Sequence, residues 1–163
     1  MRAKQIPCAD RFVVKARPDA SAAVRRQLAS VGAVEEIEGS DLLLLKLGEA
    51  CPDPKAAWQR ILSDMGSAQW VAPLLLDEQS QPHFPTGDIT VRFDHAPSEK
   101  HLEAFAAAHG LRLRDRNEFV PEQAAFQPEE PRRTFLPDLV RALSDEKGVA
   151  AAWANTLSRY RRI

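Results

Sequence analysis

The chain repeats itself at long range, and this repeat limits its architecture more than any other feature. Arg60-Ile61-Leu62-Ser63-Asp64 returns 81 positions later as Arg141-Ala142-Leu143-Ser144-Asp145, and both segments end an amphipathic helix pattern. At the same spacing, Ala68-Gln69-Trp70-Val71 is answered by Val149-Ala150-Ala151-Ala152, each the start of an apolar strand. Upstream, Leu28-Ala29-Ser30-Val31-Gly32 and Ala106-Ala107-Ala108-His109-Gly110 stand 78 positions apart. Each closes a helix on a glycine, the residue that best tolerates the left-handed backbone of a helix end. A chain of 163 residues can hold one ordinary domain or two of ~80 residues. The repeat selects two, over residues 1–80 and 88–163, with the polar, proline-bearing stretch 81–87 as linker.

Each copy reads strand, helix, strand, strand, helix, strand. In the first, Arg11–Arg17 is a strand, and Asp19–Val31 is a helix capped by Asp19 or Ser21 with Ala23, Val24, Leu28 and Val31 at helical spacing. Ala33–Glu38 and Leu42–Leu47 form a hairpin through Gly39-Ser40. Asp53 or Pro54 opens a helix with an apolar stripe of Ala57, Trp58, Ile61 and Leu62, and Gln69–Leu76 follows as a strand. In the second copy, Ile89, Val91 and Phe93 alternate with Thr90, Arg92 and Asp94, the pattern of a half-buried strand. Ser98 to His101 opens a helix carrying Leu102, Phe105 and Ala106. Leu111–Arg114 is a strand whose mate falls within Ala124–Gln127, Phe135–Ser144 is a helix, and Val149–Trp153 is the last strand.

A βαββαβ order folds most simply as an antiparallel sheet with both helices on one face. The expectation is an α+β chain of two tandem ferredoxin-like units, each a four-stranded antiparallel sheet with two helices on one face. Cys8 and Cys51 would then lie at the same end of the first sheet, either within disulfide reach or as two reduced thiols. Leu42 to Leu45 and Val71 to Leu76 are continuously apolar, the pattern of strands buried on both faces.

Charge narrows the function classes. Residues 1–80 carry 10 Lys/Arg against 11 Asp/Glu, and residues 81–163 carry 12 against 12, so neither half has the positive field of a nucleic-acid-binding domain. Local basic clusters remain at Arg112, Arg114 and Arg116 and at Arg159, Arg161 and Arg162. No apolar run approaches the ~20 residues that cross a bilayer, and the N-terminus has no apolar signal core, so the expected location is the cytoplasm. His83, His95, His101 and His109 show no metal-ligand spacing, no phosphate loop occurs, and no nucleophile–base motif is legible. The expectation is a chain without enzymatic activity, metal or cofactor.

The second copy also carries short motifs in a familiar order. Val91-Arg92-Phe93, Ala96-Pro97-Ser98-Glu99 and Gly110-Leu111 are followed by Leu139–Leu143, Asp145, Gly148-Val149, Ala152 and Asn155. This succession resembles the propeptides of subtilisin-like serine proteases, particularly fervidolysin-type prodomains and their stand-alone inhibitor relatives. The usual proline before the asparagine is Ala154 here, and the first copy keeps only Trp70 and Pro73 of the pattern. The resemblance implies a protein-binding module, a protease inhibitor or an adaptor derived from a folding chaperone, that uses its sheet face and an extended C-terminal segment. Its implied partner is a subtilisin-like protease, and its implied contact residues are Asn155, Leu157, Arg159, Tyr160, Arg161, Arg162 and Ile163. A regulatory ferredoxin-like module that senses a small ligand is the alternative, followed by a tandem RNA-processing protein, which the charge balance disfavours.

Overall fold

The computed structural model describes residues 5–48 and 52–157. The chain is α+β and divides at Pro85/Thr86 into two compact units. In the first, β1 (Ile6–Ala16), α1 (Ser21–Ala29), β2 (Gly32–Glu36), β3 (Leu42–Leu47), α2 (Pro54–Asp64), β4 (Ala68–Leu76) and β5 (Pro82–His83) follow in order. The strands form one antiparallel sheet in the order β2-β3-β1-β4-β5. In the second, β6 (Pro85–Phe93), α3 (Glu99–Ala108), β7 (Leu111–Arg116), β8 (Gln123–Pro128), a 3₁₀ turn at Pro131–Arg133, α4 (Leu136–Ser144) and β9 (Val149–Thr156) build a sheet in the order β7-β8-β6-β9.

The expected pair of four-stranded ferredoxin-like sheets, each with two helices on one face, is therefore corrected: the first sheet has five strands. The extra strand comes from a turn that its polar, proline-bearing sequence disguises as linker. The Asp77 carboxylate accepts hydrogen bonds from the Gln79 and Gln81 N–H groups at 2.9 Å, and its other oxygen accepts one from His83 Nε2 at 2.9 Å. Ser80 takes a positive φ of 61° at the tip. The chain thus doubles back, and Pro82 and His83 pair with Leu76 and Leu75.

The core of the first unit lies in β1, β3 and β4. Phe12, Val13 and Val14 are fully buried, as are Leu45 and Leu74, and Trp70 to Leu75 are buried without alternation. The run in β4 is therefore covered on both faces as far as Leu75, whereas Leu44 leaves the run in β3 half-buried at one position. Asp53 caps α2 by accepting the Lys55 N–H at 3.1 Å, and Pro54 sits in its first turn. The Trp58 indole of this helix donates to the Val71 carbonyl at 2.7 Å, so the sheet's buried centre holds a satisfied polar group. Neither Asp19 nor Ser21 caps α1; Ala20 occupies that position without a side-chain bond. Gly32 serves strand packing rather than left-handed geometry, because a Cβ there would meet the Lys46 carbonyl oxygen at 2.0 Å.

The β1–β4 ladder breaks where β4 carries Pro73, which has no N–H to donate. Pro7 pairs with Leu75 and Phe12 with Pro73, so Cys8 to Arg11 stand opposite Leu74 alone. Cys8 is buried in this bulge as a free thiol. Burial pushes its pKa up, against the lowering influence of Arg11, whose Nη2 lies 3.8 Å from the sulfur. Cys51 lies outside the described residues, and with it the expectation of a Cys8–Cys51 approach.

Hydrogen bonds from the His83 ring and then from Gln81 and Gln79 hold the Asp77 carboxyl below its ordinary value of 3.8. The depressed folded value means that this group stabilises the fold fully above the ordinary carboxylate pKa and loses that effect as pH falls through the folded one. In acid titrations of unfolding, Asp77→Asn is expected to flatten the decline of first-unit stability below about pH 4. An acid limb identical to that of the parent chain would contradict this role.

Candidate functional site on the exposed face of the second sheet

The alternation along β6 assigns the two faces of the second sheet. Ile89, Val91 and Phe93 are buried, whereas Thr86, Asp88 and Thr90 are half-buried and Arg92 is exposed. On the buried side, Phe93 meets Phe105 of α3 edge-on with ring centroids 5.1 Å apart, and Phe105 lies 5.5 Å from Phe126 of β8. The rings of His101 and His109 border the same cluster, at 5.7 Å from Phe93 and 4.7 Å from Phe105. The opposite face is polar and faces away from these rings.

That polar face is held by bonds between distant strands. Thr90 Oγ1 donates to Asn155 Oδ1 at 2.6 Å across 65 positions, and Thr86 Oγ1 donates to the Asn155 carbonyl at 3.4 Å. Arg112 Nη2 donates to Gln127 Oε1 at 2.6 Å, and Arg114 Nε lies 3.7 Å from an Asp88 carboxylate oxygen. The alternating arginines do not make one basic stripe. A register shift between Leu113 and Asp115 places Asp115 beside Ala125 and Arg116 beside Ala124, so Arg116 leaves the face on which Arg112 pairs with Gln127. There it donates to the Pro97 carbonyl ahead of α3. The bulge turns a phosphate-binding pattern into a mixed-charge surface.

The β7–β8 hairpin ends in an ordered loop. Asn117 Oδ1 accepts from the Phe119 and Val120 N–H groups at 2.9 and 3.0 Å, and Gln123 N–H donates to the Val120 carbonyl at 2.9 Å. The loop carries Phe119 at 92% exposure. A concavity of about 430 Å³ lies beside it, lined by Thr90, Asp115, Asn117, Glu118, Phe119 and Gln123 among others.

Of the residues singled out by the sequence, Asn155 is a strand residue locked to β6 and Leu157 lies one position beyond β9. Arg159, Tyr160, Arg161, Arg162 and Ile163 lie outside the described residues. The β9 strand runs to Thr156, three residues beyond its expected end at Trp153. Thr86, Thr90 and Asn117 were not singled out; the alternation along β6 marks Thr90 as polar-facing, but nothing local points to its partner 65 positions away.

Bond-making groups are sparse on this face. Among the described residues, no cluster of three or more His, Cys, Asp or Glu could hold a metal ion. The Asp77–His83 pair of the first unit has no hydroxyl or thiol bonded to its ring among the described residues. No helix among the described residues is long and apolar enough to cross a membrane. No protein-family model matches the chain, and no curated protein matches it either.

The Thr90–Asn155 bond ties the last strand to the centre of the sheet. Thr90→Val keeps the shape and removes the donor, so it is expected to cost about 1 kcal/mol of second-unit stability. It should also speed amide exchange in β9 relative to β8. Equal exchange in both strands would contradict this role for the bond.

Proposed function

We propose that the chain is a non-enzymatic protein-binding module that engages its partner through the exposed face of the second sheet and the C-terminal segment following β9. The observation that carries this reading is the position of β9. It is an end strand beside the polar face, and its sequence continues directly into Leu157 and the basic C-terminal residues. The polar groups of the face already satisfy one another, an arrangement suited to surface recognition rather than to polarising a reacting bond. The motif order shared with subtilase propeptides makes a subtilisin-like protease the partner of choice. An extended segment occupies a protease groove through backbone hydrogen bonds, with side-chain pockets adding specificity. Arg159, Arg161 and Arg162 call for a cleft with acidic counter-charges, which would raise the association rate at low salt.

Titrating the intact chain against a subtilisin-type protease is expected to give saturable inhibition that deletion of residues 157–163 abolishes. No inhibition by the intact chain would overturn the protease reading. Inhibition unchanged by the deletion would overturn the role of the segment.

A further inference from the structure

The hairpin loop between β7 and β8 is the acidic part of an otherwise balanced face. Residues 115–122 hold Asp115, Glu118 and Glu122 against Arg116 alone, a net charge of 1 − 3 = −2. Counting exposed Arg92 of the neighbouring β6 still leaves this end of the face negative. Asp115 and Glu118 are exposed and form no ion pair among the described residues, while Arg116 is turned to the Pro97 carbonyl. Phe119 stands among these groups at 92% exposure, on backbone that Asn117 Oδ1 holds by accepting the Phe119 and Val120 N–H groups. A large ring held in water beside a concavity of about 430 Å³ has the form of a binding anchor.

Its chemical complement is carried by the same chain. Leu157 is followed by Ser158-Arg159-Tyr160-Arg161-Arg162, three guanidinium groups around a tyrosine with no acidic residue among them. A guanidinium pairs with carboxylates through parallel hydrogen bonds and stacks on aromatic rings. We infer that the Phe119 loop is a docking site for the arginines at positions 159, 161 and 162 of a second copy of this chain, each copy supplying its segment to the other. Topology selects the second copy over the chain's own segment. The β9 strand runs against β6: the Asp94 N–H donates to the Gly148 carbonyl at one end, and Thr86 Oγ1 donates to the Asn155 carbonyl near the other. The loop lies at the Asp94 end, where the Phe93 N–H donates to the Glu122 carbonyl. The segment therefore leaves the face at the end opposite the loop. Thr86 and Phe93 are 93 − 86 = 7 residues apart on β6, about 24 Å. Arg159 is 159 − 156 = 3 positions past the end of β9, a reach of at most ~11 Å. Two copies laid face to face in opposite directions set each segment against the other's loop. The two contacts are then equivalent about a two-fold axis, and the assembly closes as a dimer. No protease is needed for this association, which withholds the segment from any other partner.

The test is the molar mass of the full chain by sedimentation equilibrium across a wide concentration range. The expected result is a rise from 18.1 kDa toward twice that value, displaced at least tenfold to higher concentration in about 1 M salt. Reversing the loop charges (Asp115→Lys with Glu118→Lys) or the segment charges (Arg159→Glu with Arg161→Glu) is expected to weaken association at least tenfold. The chain carrying all four substitutions is expected to recover it, which separates charge pairing from misfolding, because a misfolded variant would not be rescued. Phe119→Ser, at an exposed position, is expected to weaken association severalfold with the unfolding temperature unchanged. A mass fixed at 18.1 kDa throughout would overturn the inference, as would association indifferent to salt, to Phe119→Ser or to either charge reversal, or no recovery in the fourfold variant.

Discussion

Every strand in a sheet needs a partner for both rows of its backbone groups, and the strands at the ends have only one. The chain is organised around this constraint. In the first unit Phe12 to Val14 of β1 and Trp70 to Leu75 of β4 are buried without alternation, and the Leu75–Leu76 end of β4 is paired by β5, which exists because the Asp77 carboxylate folds residues 77–81 into a tight turn. In the second unit the sheet has one apolar and one polar face, and its last strand ends the sheet without a charge or a proline. The two units share an order of elements through β4 and β9, but they use their sheets differently. The first is occupied with its own core, whereas the second presents a surface.

Backbone chemistry accounts for the irregularities as well. Pro73 cannot donate to a ladder, and the adjoining strand responds by bulging at Cys8 to Arg11. This buries a cysteine whose thiol is held in its protonated form by burial, which suits packing rather than nucleophilic chemistry. In the second unit a one-residue bulge between Leu113 and Asp115 changes which arginine faces solvent with Arg112. A basic stripe becomes a balanced surface of paired charges and amides, consistent with the near-neutral charge of that half of the chain.

Where a local interaction forms an element, the residues announced it. Asp53 and Ser98 start α2 and α3, the stripes of Ala57, Trp58, Ile61 and Leu62 and of Leu102, Phe105 and Ala106 are the buried ones, and β6 alternates as its sequence does. Departures occur where a non-local or backbone interaction decides the outcome. The start of α1 follows a turn closed by the Ala20 N–H on the Arg17 carbonyl at 2.9 Å, and no side chain caps it. The β5 strand was hidden because a carboxylate-organised turn has the same composition as a linker. The three further residues of β9 include Asn155, which bonds to Thr90 on a strand 65 positions away. Asn155 and Leu157 can be placed, while the remaining candidate contact residues lie outside the described part of the chain.

The central claim is that the second sheet, through β9, is the part of the molecule built to meet another chain. Its most direct test is amide hydrogen exchange of the full protein with and without a catalytically inactivated subtilisin-type protease, resolved by strand. The account predicts that β9 amides become slower to exchange when the protease is present while those of β2 are unchanged. Exchange in β9 indifferent to the protease, or equal protection appearing at β2, would contradict it.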